Sequence, residues 1–214
     1  MYDKAYAQTW IENHESGKDT FRVEYLEPYF RDTFKDLGDN FKVLDVGCGW
    51  GSLLDFLKPN IFYHGVDITV DFFDYVKNKF PKRNLILNSG RLPDSVKVSD
   101  NSFDVCVCSQ VLHTLSNLEK SIEILFSKLK YNGKLVVITF SDKSKEPLIG
   151  SFNPIEKLDD VHVIGQAMLP SGLKVHAEVY FHKEKDYEKE FLKYDSFSKR
   201  ELGPLFVAYE CIKK

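Results

Sequence analysis

Apolar positions in this chain follow three successive patterns. Near the start they recur every four residues, as Tyr2, Tyr6 and Trp10, and again beyond Gly17 as Leu26, Phe30, Phe34 and Leu37, up to Gly38. Side chains so spaced share one face of a helix, so two helices are expected before any strand, with Pro28 tolerable near the first turn of the second. From Phe41 the rhythm alternates. The runs 41–46, 61–66, 85–87, 103–108 and 134–140 read as strands, with helical stretches over 52–57 and 70–80 that stop at Pro59 and Pro81. A further helix carries Leu118, Ile122, Leu125 and Leu129, opens on the capping-box pattern Ser116-x-x-Glu119 and closes near Asn132-Gly133. Strand and helix alternate in this way when helices cover both faces of a parallel sheet.

Beyond Phe140 the pattern changes. Residues 141–150 are polar and loop-like, 154–166 suggest a helix, and 175–181 and 205–212 read as strands. Lacking a full crossover between them, these two suggest an antiparallel finish to the sheet. Their connection, 182–203, is charged, yet Tyr187, Phe191 and Tyr194 fall at helical spacing, which predicts a helix or flap. No repeat, low-complexity tract or linker divides the 214 residues. The expected unit is a single domain over 1–214: a helical cap over 1–40, a core over 41–140, and sheet completion with substrate-side elements over 141–214.

Composition narrows the class. The net charge of −3 argues against broad attraction to nucleic acid. No apolar run is long enough to span a membrane and the first residues lack a signal-peptide core, so a cytoplasmic protein is expected. Cys48, Cys106, Cys108 and Cys211 form no CxxC pair, and the six histidines show no ligand spacing. The cysteines are expected to be small buried hydrophobes, and no metal site is predicted.

Candidate chemistry concentrates in VLDVGCGWGSLL, residues 43–54. A strand feeds Gly47, Gly49 and Gly51, and a helix follows, so the main chain can approach a ligand without a Cβ in the way. Asp67 closes the second strand 20 residues after Gly47. There its carboxylate can accept hydrogen bonds from both hydroxyls of a ribose. The glycine spacing is GxGxG, not the GxGxxG of dinucleotide loops, and Asp45 precedes it. A carboxylate there repels a pyrophosphate and suits an ammonium group, which favours a cationic, zwitterionic nucleoside cofactor.

These segments resemble the class I S-adenosylmethionine-dependent methyltransferases, in particular the broad small-molecule group called type 11. VLDVGCGWG is similar to their first motif, GVDI to the second, SFDVCVCSQVLHTL to the fourth-strand motif and LFSKLKYNGKLVVITF to the segment that leads into the fifth strand. The resemblance implies a Rossmann-like doubly wound α/β sheet of seven strands, order 3-2-1-4-5-7-6 with the last antiparallel, preceded by N-terminal helices. It implies S-adenosylmethionine as cofactor and S-adenosylhomocysteine as product. Gly47, Cys48 and Gly49 would border the methionine and ribose parts, with Asp45 at the amino group. Asp67 would hold the ribose and Ile68 lie against the adenine. Asn88 would read the adenine amino group where relatives carry aspartate, Ser89 would meet the ring through its amide, and Ser109 and Gln110 would lie near the methyl. Tyr131-Asn132 replaces the usual Pro-Gly, a turn that Asn can sustain in left-handed geometry. Trp50 is expected to pack over the cofactor or the following helix.

Methyl transfer from a sulfonium is an in-line displacement in which positioning does much of the work, so no strong base is required. His113, just past the fourth strand, is the candidate base or positioning group, with packing at the helix entrance as its alternative. The sequence after the fourth strand, CSQV, lacks the Asn/Asp-Pro-Pro-aromatic motif used on planar amines. A small-molecule oxygen, nitrogen or carbon nucleophile is therefore the expected acceptor. RNA or protein methylation, aminopropyl transfer and a non-catalytic S-adenosylmethionine-binding subunit are the competing readings; oligomeric state is not set by the sequence.

Overall fold

The structure is a computed structural model that describes residues 3–144, 152–194 and 197–214. Its centre is a seven-stranded sheet built from β1 (Lys42–Val46), β2 (Phe62–Asp67), β3 (Leu85–Ser89), β4 (Phe103–Ser109), β5 (Leu129–Phe140), β9 (Phe197–Leu202) and β10 (Phe206–Ile212). Spatial order is β3-β2-β1-β4-β5-β10-β9. The first five strands pair in parallel, and β10 runs antiparallel to both its neighbours. The order matches the expectation, the last strand in sequence being the antiparallel one.

Burial explains the parallel half. Leu135, Val136, Val137 and Ile138 of β5 are all inaccessible to solvent, as are Val43 and Leu44 of β1. Strands covered on both faces carry unbroken apolar runs. One face packs under α4 (Leu118–Lys128) and α5 (Glu184–Phe191). The other packs against a π-turn, Arg22–Leu26, that runs into α2 (Glu27–Phe34). α1 (Lys4–Glu15) and α3 (Phe72–Lys79) form a smaller cluster with Trp50. Tyr187 and Phe191 belong to the core, which makes their stripe a packing face.

Several boundaries differ from the sequence reading. α4 is capped by Asn117, whose side chain accepts from the Lys120 N–H, not by Ser116. It stops at Lys128, and β5 then passes through Asn132, whose φ is 63°. The short helix expected over 52–57 is present as a 3-10 helix, Ser52–Phe56. The expected helix over 154–166 is instead a hairpin: β6 (Phe152–Lys157) and β7 (His162–Met168) pair antiparallel, and β8 (Lys174–Tyr180) completes a separate three-stranded sheet. Phe152, Val163 and Val179, one from each strand, are buried together, and along β7 Val163 and Gly165 are buried while Ile164 and Gln166 between and after them are not, the period-two pattern of a strand. Pro154 lies in edge strand β6 beside a register shift, where its missing N–H costs least. The run 175–181 is therefore a strand outside the main sheet, and β9, expected as part of a helix or flap, supplies the seventh strand. Tyr2 and residues 145–150 of the expected loop lie outside the described residues.

The small sheet sits beside the site end of the large one. The Ser171 N–H, in the β7–β8 turn, donates to Asn13 Oδ1 of α1 at 3.0 Å, and His182 Nε2 meets the Leu115 carbonyl at 2.7 Å.

Candidate active site

The site forms where β1, β2 and β4 end. Gly47, with φ 80°, turns the chain sharply, and a Cβ there would stand 2.0 Å from Val111 Cγ2. Only glycine fits. The N–H groups of Gly47 and Cys48 both donate to the Val66 carbonyl, which ties the loop to β2. Asp67 Oδ2 accepts the Gly49 N–H at 2.8 Å and Oδ1 accepts that of Thr69 at 2.8 Å. Each oxygen keeps a second lone pair for a ligand hydroxyl. Burial raises the Asp67 carboxyl above its ordinary range against the opposing effect of those N–H bonds.

Asp45 lies deeper. Tyr63 donates to its Oδ2 at 2.7 Å, and the pair is buried below the loop. Burial is the main reason its carboxyl is pushed up to about 7, with Asp67 adding to the shift and Tyr63 opposing it. Among the described residues no cation pairs with this carboxylate. A ligand ammonium would relieve it.

A cavity of about 210 Å³ lies between these groups. Asp45, Gly47, Cys48 and Gly49 form its floor, Asp67 and Ile68 one wall, and Ser109 and Gln110 the other. Gln110 holds a left-handed backbone, φ 59°, with its N–H on the Ile138 carbonyl at 2.7 Å. Non-glycine residues rarely adopt that geometry. The structure thus brings eight of the expected cofactor residues to one cavity.

Three expected residues lie outside its lining. Asn88 and Ser89 end edge strand β3, and Asn88 Oδ1 is engaged by His64 Nε2 at 2.6 Å; Gly90, Arg91 and Leu92 line the cavity in their place. His113 lies against Phe140, ring centroids 4.5 Å apart, and its Nδ1 is buried without a partner among the described residues. Burial and the neighbouring His182 lower it to about 3, so the imidazole is neutral. Val111, Thr114 and Leu115 line the cavity around it, and His113 does not. This placement favours packing over direct contact with an acceptor.

The roof was not legible as a site. Tyr6 and Trp10 of α1 and Arg22 of the π-turn line the cavity. Trp50 stacks on Trp10, ring centroids 5.8 Å apart, and on His14 at 5.6 Å, so α1 grips the glycine loop through two side chains one helical turn apart. Arg22 is buried, contacts His14 Nδ1, lies 3.6 Å from Glu27 and stands over the Trp50 ring. Burial first, then the Arg22 and Lys79 charges, lower His14 to about 4. Trp10 Nε1, Trp50 Nε1 and Arg22 Nη2 are buried N–H donors with no acceptor among the described residues. Buried donors left unpaired cost free energy, which is recovered when a ligand supplies acceptors. The pairing of an arginine with a tryptophan in the loop is the signal that could have pointed here.

Residues 44–137 match the family described as a methyltransferase domain. The chain is 24% identical over 160 residues to a ubiquinone biosynthesis O-methyltransferase of Rickettsia prowazekii, covering 70% of this chain and 61% of that protein. It is 32% identical over 118 residues to a highly reducing polyketide synthase of Aspergillus carbonarius, covering 45% of this chain and 5% of the fungal protein. The chain therefore spans less than two thirds of either relative. A S-adenosylmethionine-dependent methyltransferase from Aquifex aeolicus shares the fold, with a TM-score of 0.63, 18% identity and coverage of 94% of this chain and 96% of that one. The family match covers residues 44–137, somewhat under half of the chain, and what the chain shares with the solved methyltransferase is the fold.

Proposed function

We propose that the chain transfers a methyl group from S-adenosylmethionine to a small-molecule oxygen, nitrogen or carbon nucleophile. The observation that carries this reading is the pairing of Asp67, both oxygens held by loop N–H groups, with the uncompensated Asp45 in one cavity. Asp67 would hold the ribose hydroxyls, Asp45 the ammonium and Ile68 the adenine. Gly47, Cys48 and Gly49 would let the main chain approach the methionine and ribose parts, and Ser109 and Gln110 would flank the methyl. The indole N–H groups of Trp10 and Trp50, which have no acceptor among the described residues, and the Arg22 guanidinium, whose Nη2 makes no hydrogen bond and lies 3.6 Å from Glu27, are suited to the carboxylate. When bound, the cofactor supplies an electrophilic methyl on a cationic sulfur. The protein's part is to exclude water beneath α1 and hold donor and acceptor in line.

Asn88 is proposed to act on adenine only by releasing His64, and Ser89 only through its backbone. His113 is proposed as a wall residue. The O-methyltransferase relative supports a small acceptor, and the acidic net charge disfavours a polyanion. Isothermal calorimetry tests the reading. S-adenosylhomocysteine is expected to bind in the micromolar range, and Asp67→Ala to weaken it at least tenfold, as the loss of hydrogen bonds to a charged group implies. No binding to the folded protein would sink it.

A further inference from the structure

We infer that the cofactor's carboxylate is the tie that fastens α1 over the cavity, so that the site selects adenosyl compounds bearing that group over those that lack it; this rests on the methyl-transfer reading. Trp10 belongs to α1, Arg22 to the π-turn and Trp50 to the glycine loop, three separate elements that line one cavity. Nε1 of each tryptophan and Nη2 of Arg22 are buried without a hydrogen-bond partner among the described residues. Indole and guanidinium groups only donate, so nothing but an acceptor can satisfy them.

Charge decides which acceptor. Arg22 is 7% exposed, and Glu27 beside it offers one carboxylate to two guanidinium groups, 3.6 Å from Arg22 and 3.5 Å from Arg31. Both separations exceed the ~2.7–2.9 Å of a charge-assisted hydrogen bond. On the other side Arg22 Nη1 meets the neutral imidazole of His14, and Lys79, also near that ring, pairs with Asp55 at 2.9 Å. Arg22, Arg31 and Glu27 together therefore keep one positive charge. Of the cofactor's groups only the carboxylate is an anion, since its ribose is matched to Asp67 and its ammonium to Asp45.

The same group would bridge elements that the protein itself joins loosely. Trp10 and His14 meet the glycine loop by ring stacking on Trp50, and Ala7, Ile11 and Phe72 form a small apolar cluster outside both main cores. The cavity, about 210 Å³, is smaller than the ~300–1,000 Å³ of pockets that hold molecules of the cofactor's size, so part of its lining must yield on entry. α1 is the element least anchored. Asp67 ends β2 and Ile68 follows it, so the nucleoside contacts do not draw α1 down; the carboxylate contacts do. A decarboxylated sulfonium, the donor for aminopropyl transfer, presents the same nucleoside and amine but leaves three buried donors unpaired beneath a loose roof.

Calorimetry on the full chain compares S-adenosylhomocysteine with its decarboxylated form, which keeps the adenosyl thioether and the amine. The decarboxylated compound is expected to bind about a hundredfold more weakly, the effect of losing hydrogen bonds to a charged group in a buried site. With each ligand saturating, hydrogen exchange in residues 4–15 is expected to slow with S-adenosylhomocysteine and to stay as in the free protein with the decarboxylated form. Trp10→Phe keeps a ring and removes one donor; it is expected to weaken S-adenosylhomocysteine about fivefold and leave the decarboxylated compound unaffected. Affinities of the two compounds within about threefold, equal slowing of α1 by both, or equal weakening of both by the variant would overturn the inference. Absence of S-adenosylhomocysteine binding would instead strike the methyl-transfer reading itself.

Discussion

At the residue scale, Asp45 sets a conflict between stability and binding. Its folded value of about 7 lies above the ordinary 3.8, so between those values the native state holds a proton that the unfolded chain has lost. Stability of the ligand-free protein therefore falls as pH rises from about 4 to 7. Cofactor affinity runs the other way, since the ammonium needs the charged carboxylate. Calorimetry is expected to show S-adenosylhomocysteine binding weakening as pH drops below about 7, approaching tenfold per unit where the proton must be displaced. Asp45→Asn should remove this dependence, raise the melting temperature of the ligand-free protein at pH 8 and abolish tight binding. An unchanged pH profile in the variant would refute the assignment. Gly47 offers a second case. Gly47→Ala places a methyl group against Val111 in a left-handed conformation and should cost about 1–2 kcal/mol from backbone strain alone, with further loss from the clash, read by urea unfolding.

At the scale of elements, what was legible depended on how many neighbours decide a residue's environment. β1, β4 and β5 are covered on both faces, so their apolar runs needed no partner to be read. The glycine loop and Asp67 were legible because backbone geometry and hydrogen-bonding chemistry restrict the residue types allowed there. β6 and β7 were not. Their alternation is half-hidden by Pro154 and by a face that keeps Gln166 and His162 partly in water, and only pairing with β8 settles it. Arg22, Arg91 and the roof stayed hidden for a similar reason: a spacing of four makes a helix face but does not say what the face covers. Here α1 covers the cavity, held by the Trp10–Trp50–His14 stack. Trp50→Ala should cost about 2 kcal/mol, below the ~3–5 kcal/mol of fully buried aromatic truncations because the ring is only partly buried. Hydrogen exchange should quicken in residues 4–15 with little change in β5. Equal loss of protection in both would mean that α1 and the core open as one unit.

At the scale of the whole molecule, the helix that roofs the cavity is fastened to an element far away in sequence. α1 comes from the cap, and the β7–β8 turn from the small sheet that follows β5. Asn13 joins them: its side chain is buried and accepts the Ser171 N–H. A neutral hydrogen bond of this kind contributes about 1 kcal/mol, too little to hold the fold and enough to bias how often the roof and small sheet move together. Asn13→Ala is therefore expected to leave the core intact, lowering global stability by about 1 kcal/mol, yet to raise exchange at residues 169–173 and in α1 together. If ligand closes the roof over the cavity, S-adenosylhomocysteine should slow exchange in both segments in the native protein and in α1 alone in the variant. Protection of both segments in the variant would mean that the small sheet is held by other contacts, His182 on the Leu115 carbonyl foremost.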